Sequence, residues 1–188
     1  MNRERMAEGI RTFLEGLLAD RPAAGAPGAG PTDAARIAER VAAAFADDLC
    51  GGYAIDPAAL LRPMPLDTAA GPVVLRDLRF VSLCAHHLLP YEGVAHVGFV
   101  PRGCHVGLGA LARVVDALAR RLTLQESLTA AIADALERGL APRAVVVVLE
   151  ARHGCLAHRG ARQPDHRLTT IERRGETAAE LDRLVLGR

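Results

Sequence analysis

Residues 73–90 read VVLRDLRFVSLCAHHLLP. Their first part, Val73 to Ser82, alternates and predicts a strand. That strand runs straight into Cys84, His86 and His87, three residues of metal-ligating type within four positions. A second group lies far downstream, Ala151-Arg152-His153-Gly154-Cys155, followed by His158-Arg159-Gly160. Zinc takes thiolate sulfur and imidazole nitrogen in a tetrahedral shell, and a catalytic site keeps one position open beside three protein ligands. Cys84, His87 and Cys155 would make such a set, leaving His86 and His153 to move protons. The spacing is not that of a zinc finger, which repeats close pairs, so the fold must bring the halves together. The ordinary alternative makes Cys84 and Cys155 small buried hydrophobes. Cys50 and Cys104 lack histidines at ligand spacing and read as ordinary core or surface thiols.

Outward from this stretch the chain is regular. Val94 to Val100 alternates and predicts a second strand. Leu108 to Arg121 is helical, with Leu111, Val114, Val115 and Leu118 on one face, and Leu124 to Gly139 is a second helix. Ala144 to Glu150 is a β-branched run and predicts a strand; Arg167 to Glu172 is a shorter candidate. A helix over 177–186 closes the chain. Upstream, Asn2 to Ala19 has helical spacing, and Asp33 is a plausible N-cap for a helix running to about Cys50. Residues 23–31 are an Ala/Gly/Pro linker and 57–72 a proline-rich, irregular stretch. The division expected is an N-terminal helical region at 1–52 and a larger α+β domain at 53–188, with core order strand, strand, helix, helix, strand, strand.

Composition excludes several classes. With 23 arginines and no lysine against 22 acidic residues, net charge is near zero, and aromatic content is 3%. Neither a basic face nor a base-stacking surface for nucleic acid is expected. No apolar run is long enough to span a membrane, and Met1 to Asp20 lacks the apolar core of a secretory signal. Four cysteines without a dense framework point to a reducing compartment, so a cytoplasmic protein is expected.

Three segments together resemble the GTP cyclohydrolase I family: Ser82 to Pro90 with Gly93-Val94-Ala95-His96 and Val100-Pro101; Arg120 to Thr129; and His153 to Arg162. The resemblance covers roughly Val73 to Thr170. It implies the tunnelling fold, a ββααββ unit whose sheets join around a ring, here preceded by N-terminal helices. It implies a homodecamer of two face-to-face pentamers with active sites at subunit boundaries. The implied activity is zinc-dependent hydrolytic opening of the guanine imidazole ring of GTP, releasing formate and giving 7,8-dihydroneopterin triphosphate. Cys84, His87 and Cys155 match the family's zinc ligands, His86 and His153 its catalytic histidines, Gln125 and Glu126 its guanine-binding pair, and Arg113 and Arg159 two phosphate-binding arginines. Each also has an ordinary reading: Gln125-Glu126 as the start of a helix where Glu favours the dipole, the arginines as solvated charges, His153 as a satisfied strand-end histidine. His96, His105, His158 and His166 are given no role. The same chemistry on another guanine nucleotide or modified purine, or a catalytically silent purine-binding relative, are the competing readings.

The chain departs from the family at Ala85, where the family has Glu, at 165–171, where its Ser/Thr-rich tail is replaced, and at its N-terminus. The fourth departure bears on the substrate: Gly109-Ala110 replaces the family's Ser-Lys, removing a triphosphate contact. One lost charge-assisted contact is worth roughly 1.5–3 kcal/mol, about one to two decades in binding. The preference for GTP over GMP in kcat/KM should therefore be small, with Arg113 and Arg159 holding what phosphate is bound. Steady-state kinetics on both nucleotides test this; rejection of GMP by several decades would refute it.

Overall fold

The computed structural model describes residues 1–19, 33–67, 70–175 and 178–187. Residues 23–31, expected as a linker, lie outside them. The chain divides into two compact units, Met1–Gly51 and Gly52–Arg188.

In the first unit, helix α1 (Arg3–Leu17) is capped by the Asn2 side chain, which accepts from the Arg5 N–H, and α2 (Ala34–Ala43) by Asp33, which accepts from Arg36. The expected N-cap Asp33 is thus in place. The α-helix stops at Ala43, short of the expected Cys50. The chain continues in a wider π-type turn over Ala44–Leu49, closed by a bond from the Cys50 N–H to the Phe45 carbonyl.

The second unit is built on a five-stranded sheet. Strands β1 (Val73–Cys84), β2 (Pro90–Val100), β3 (Ala144–His153) and β4 (Leu168–Gly175) are antiparallel neighbours in that order. Leu122–Thr123 adds a short parallel edge against Leu83–Cys84. Helices α3 (Leu108–Ala119) and α4 (Gln125–Leu140) separate β2 from β3, and α5 (Ala178–Leu186) ends the chain. The order strand, strand, helix, helix, strand, strand is as expected, and the class is mixed α+β.

Helices on both sheet faces explain the unbroken apolar run in β3. Val145, Val147, Leu149 and Ala151 join Leu111, Val114, Leu128 and Ile132 of α3 and α4 in one core. Ala144, Val146 and Val148 join Leu181 and Val185 of α5 in a second. A strand covered on both faces loses period-two alternation, because every position is inside.

The strands reach further than alternation indicates. β1 runs to Cys84 rather than Ser82, β2 starts at Pro90 rather than Val94, and β3 continues past Glu150 to His153. Pro90 is tolerated as the first residue of its strand, where a missing N–H is least harmful. The register pairs Leu83 with Pro90 and Tyr91 with His153. One irregularity interrupts β1: between Leu75 and Leu78 the register shifts, Asp77 takes φ 59°, and its N–H donates to Nδ1 of His96 at 3.1 Å. His96, given no role above, satisfies this bulge. The described part of the 57–72 stretch is mostly irregular as expected, with one helical turn at Ala58–Leu60 and a short pairing of Met64–Pro65 with Cys104–His105.

Two glycines set how closely neighbouring elements approach. A Cβ on Gly98 would lie 2.4 Å from Val185 of α5, and one on Gly93 would lie 1.9 Å from the Glu150 carbonyl oxygen. The second obstacle is backbone and cannot rotate away. Gly93→Ala should therefore lower stability by about 1–3 kcal/mol, the usual cost of overpacking a closed core, read as a reduced unfolding midpoint in denaturant; an unchanged midpoint would show that β2 and β3 can separate locally at no cost.

Candidate active site

Strand ends supply the site. Cys84 is the last residue of β1, and the chain reverses in a tight loop to Pro90. The Leu88 N–H and Leu89 carbonyl close that loop on the Cys84 backbone, each at 2.9 Å, with Leu88 at φ 56°. His87 lies inside it, its Nδ1 3.9 Å from Cys84 Sγ. From the other direction β3 ends at His153, and Gly154–Ala157 forms a single helical turn carrying Cys155. Gly154 permits the approach: a Cβ there would lie 2.8 Å from the Pro90 carbonyl oxygen. The ligand atoms of Cys84, His87 and Cys155 all fall within 4.8 Å of one another. Residues separated by some seventy positions thus form one donor set that could hold a metal ion.

The electrostatics fit a site completed by positive charge. Burial pushes the Cys155 thiol up, the adjacent Cys84 sulfur adds to this, and Arg159 works against it. Two thiols this close resist ionising together unless a cation lies between them.

His153 is held from two sides. Its ring stacks on Tyr91, with centroids 4.6 Å apart and planes 7° from parallel. Tyr91 is 1% exposed and meets Phe80 edge-on, so its plane is fixed by the core. Burial pushes the Tyr91 hydroxyl up to about 12, with Ser82 pulling the other way, so it stays protonated at neutral pH. Burial holds His153 below the ordinary imidazole range, and Glu126 opposes it.

The remaining expected residues fall into three settings. Glu126, in the first turn of α4, is exposed and close enough to Tyr91 and His153 to act on both electrostatically. His86 is exposed beside His87, rings edge-on at 6.0 Å. Arg159 is exposed and acts on Cys155. Gln125, by contrast, is 1% exposed. Its Nε2 faces the Leu149 and Leu168 carbonyls and Thr170 Oγ1 at 3.0–3.1 Å, tying α4 to β3 and β4, while its Oε1 has no partner among the described residues. Arg113 is exposed on α3, and no described contact joins it to the cysteine cluster. Of the two positions where the family's Ser-Lys is replaced, Gly109 is exposed and Ala110 is packed into the α3–α4 core.

Two residues given no role above belong to this site. Tyr91 lay in a Pro-Tyr-Glu-Gly stretch that reads as loop until the register with β3 is known. His166 sits in the Gln163-Pro164-Asp165-His166 loop; its Nε2 accepts the His153 N–H at 3.0 Å. No local pattern marks either.

The GTP cyclohydrolase I family model matches residues 31–184. The GTP cyclohydrolase 1 of Leifsonia xyli is 45% identical over 148 residues, 78% of this chain and 78% of that protein. That of Mycolicibacterium vanbaalenii is 46% identical over 139 residues, covering 73% and 68%. That of Chlorobium phaeovibrioides is 40% identical over 174 residues, covering 92% and 74%. Among solved structures, the apo form of the archaeosine synthase QueF-Like aligns over 58% of this chain and 98% of its own at 17% identity and TM-score 0.49, too distant a likeness to inform the site.

If the three donors act as one site, Cys84→Ala and Cys155→Ala should each abolish bound metal, read by elemental analysis of purified protein against the wild type. Full occupancy in both variants would refute the assignment.

Proposed function

The chain belongs to the GTP cyclohydrolase I family, and from that footing we propose that it hydrolyses the imidazole ring of the guanine of GTP, releasing formate and giving 7,8-dihydroneopterin triphosphate. The observation that carries this reading is the convergence of Cys84, His87 and Cys155 beside His153. Two sulfurs and one nitrogen suit zinc and, as three ligands, leave a position open; Cys84, His87 and Cys155 would hold the ion. When bound, zinc supplies Lewis acidity and lowers the pKa of a water molecule it holds.

The rest falls to the chain's own side chains. His153, neutral at pH 7 and fixed in plane by Tyr91, takes and returns a proton during ring opening and loss of formate. His86, on the exposed loop, is the second proton carrier. The Glu126 carboxylate accepts from the N1–H and 2-amino groups of guanine, a donor pair adenine does not offer. Gln125 backs Glu126 from inside the fold: its nitrogen is committed to the Leu149 and Leu168 carbonyls and Thr170 Oγ1, and its Oε1 is buried. Arg159 and Arg113 bind phosphate oxygens through guanidinium forks.

Arg113 would act across a subunit boundary in a ring of copies, a decamer of two pentamers, with each site completed by a neighbour. The sparse cysteine usage fits a reducing cytoplasm, and among the described residues no helix is long and apolar enough to cross a membrane. The product would feed pterin and folate-type cofactors.

Zinc-loaded protein given GTP should release formate in step with pterin fluorescence. His153→Ala should keep its zinc and lose about a hundredfold or more in rate, the usual scale for a general acid–base residue. Absence of formate with GTP would overturn the reading; zinc lost together with activity would make His153 a ligand instead.

A further inference from the structure

The pairing of β3 with β4 ends at Ala151 opposite Leu168. Continuing that register by two residues places position 166 opposite His153, where the backbone ladder has stopped. The His166 imidazole takes over: its Nε2 accepts the His153 N–H at 3.0 Å, and its Nδ1 bonds the Gln163 carbonyl. A backbone N–H can only donate and a carbonyl can only accept, so the ring must be neutral with its proton on Nδ1. A second bond fastens the same loop to β3, from Arg152 Nε to the Pro164 carbonyl at 2.6 Å. The two imidazole centroids lie 6.1 Å apart at 38°. His153 is thus gripped by the Tyr91 face on one side and through its own backbone by His166 on the other.

We propose that His166 is a positioning residue for the ring-opening reaction, holding the His153 backbone at the end of β3 so that the His153 ring keeps its place against Tyr91. It touches neither the substrate nor the cysteine donors in this role; it acts only through His153. The proposal rests on the reading of His153 as a proton carrier. A residue held at the last turn of a strand frays unless its backbone is tied, and small misplacement of a reacting group costs about a hundredfold in rate.

Three variants measured side by side with GTP and zinc test it. His166→Phe keeps a ring of similar size but removes the acceptor. His166→Gln restores an acceptor at a reach close to that of Nε2. His153→Ala tests the underlying reading. The expected result is a kcat about ten- to a hundredfold lower in His166→Phe, with KM for GTP and zinc content at wild-type levels, and recovery of most of the loss in His166→Gln. If the Phe variant does not fold, His166→Ala carries the same comparison with Gln. Wild-type kcat in His166→Phe, a loss that Gln does not restore, or a change confined to KM or zinc content would each overturn the proposal. Full activity in zinc-loaded His153→Ala would instead remove the reading beneath it. An inactive His153→Ala beside a fully active His166→Phe would sink the positioning role alone.

Discussion

The register between β2 and β3 is the constraint on which the site depends. Tyr91 lies opposite His153, and from that pairing the rest follows: the loop ending at Pro90 brings Cys84 and His87 to one side, and the turn after His153 brings Cys155 to the other. Because side chains alternate along a strand, a slip of one residue would put His153 on the opposite face from Tyr91. Such a slip is resisted along the whole strand pair. The β3 residues from Val145 to Leu149 are fully buried, alternately against α3–α4 and against α5, so β3 can slip only by sliding past helices on both of its faces.

The same sheet end is stiffened by polar groups that the apolar cores cannot supply. Gln125 bridges the Leu149 and Leu168 carbonyls, and Thr129 and Thr170 bond each other and Gln125. Buried hydrogen bonds have directional requirements that apolar contacts lack, so each one made here fixes α4 against β3 and β4 more narrowly than packing alone. Glu126 follows Gln125 directly, so the carboxylate that faces the site is placed by a neighbour locked into the sheet. The pairing of an immobile Gln with an exposed Glu gives adjacent residues different jobs that their sequence alone does not separate.

Much of this fold is legible in the sequence. The helices declared themselves through their spacing, and the β-branched run at 144–150 declared its strand. Strand ends were not readable, because Pro90, Gly93, Arg152 and His153 are poor strand signals whose placement is decided by pairing partners. The donor set was legible from residue chemistry, Cys84 and His87 being close in sequence and Cys155 sitting in a second cluster of the same kind. Tyr91 and His166 were not, since each matters only through a neighbour on another strand. Ala110 shows the reverse: reading it as a lost lysine contact says nothing of its packing, and the fold uses it as core.

A last consequence concerns water. Ring hydrolysis is helped by a site that excludes bulk solvent, which strengthens each polar contact inside and protects reactive groups. Within one chain Cys84, Tyr91 and Gln125 are buried, whereas His86, His87, Glu126, Arg113 and Arg159 are exposed. On the proposed roles, a single chain thus builds the floor of the site and leaves its other side open. Exposed Leu88 and Leu156 stand next to His87 and Cys155 in sequence. In the proposed ring of copies, a neighbouring chain would supply the wall that one chain lacks, which would tie assembly to the chemistry rather than to stability alone.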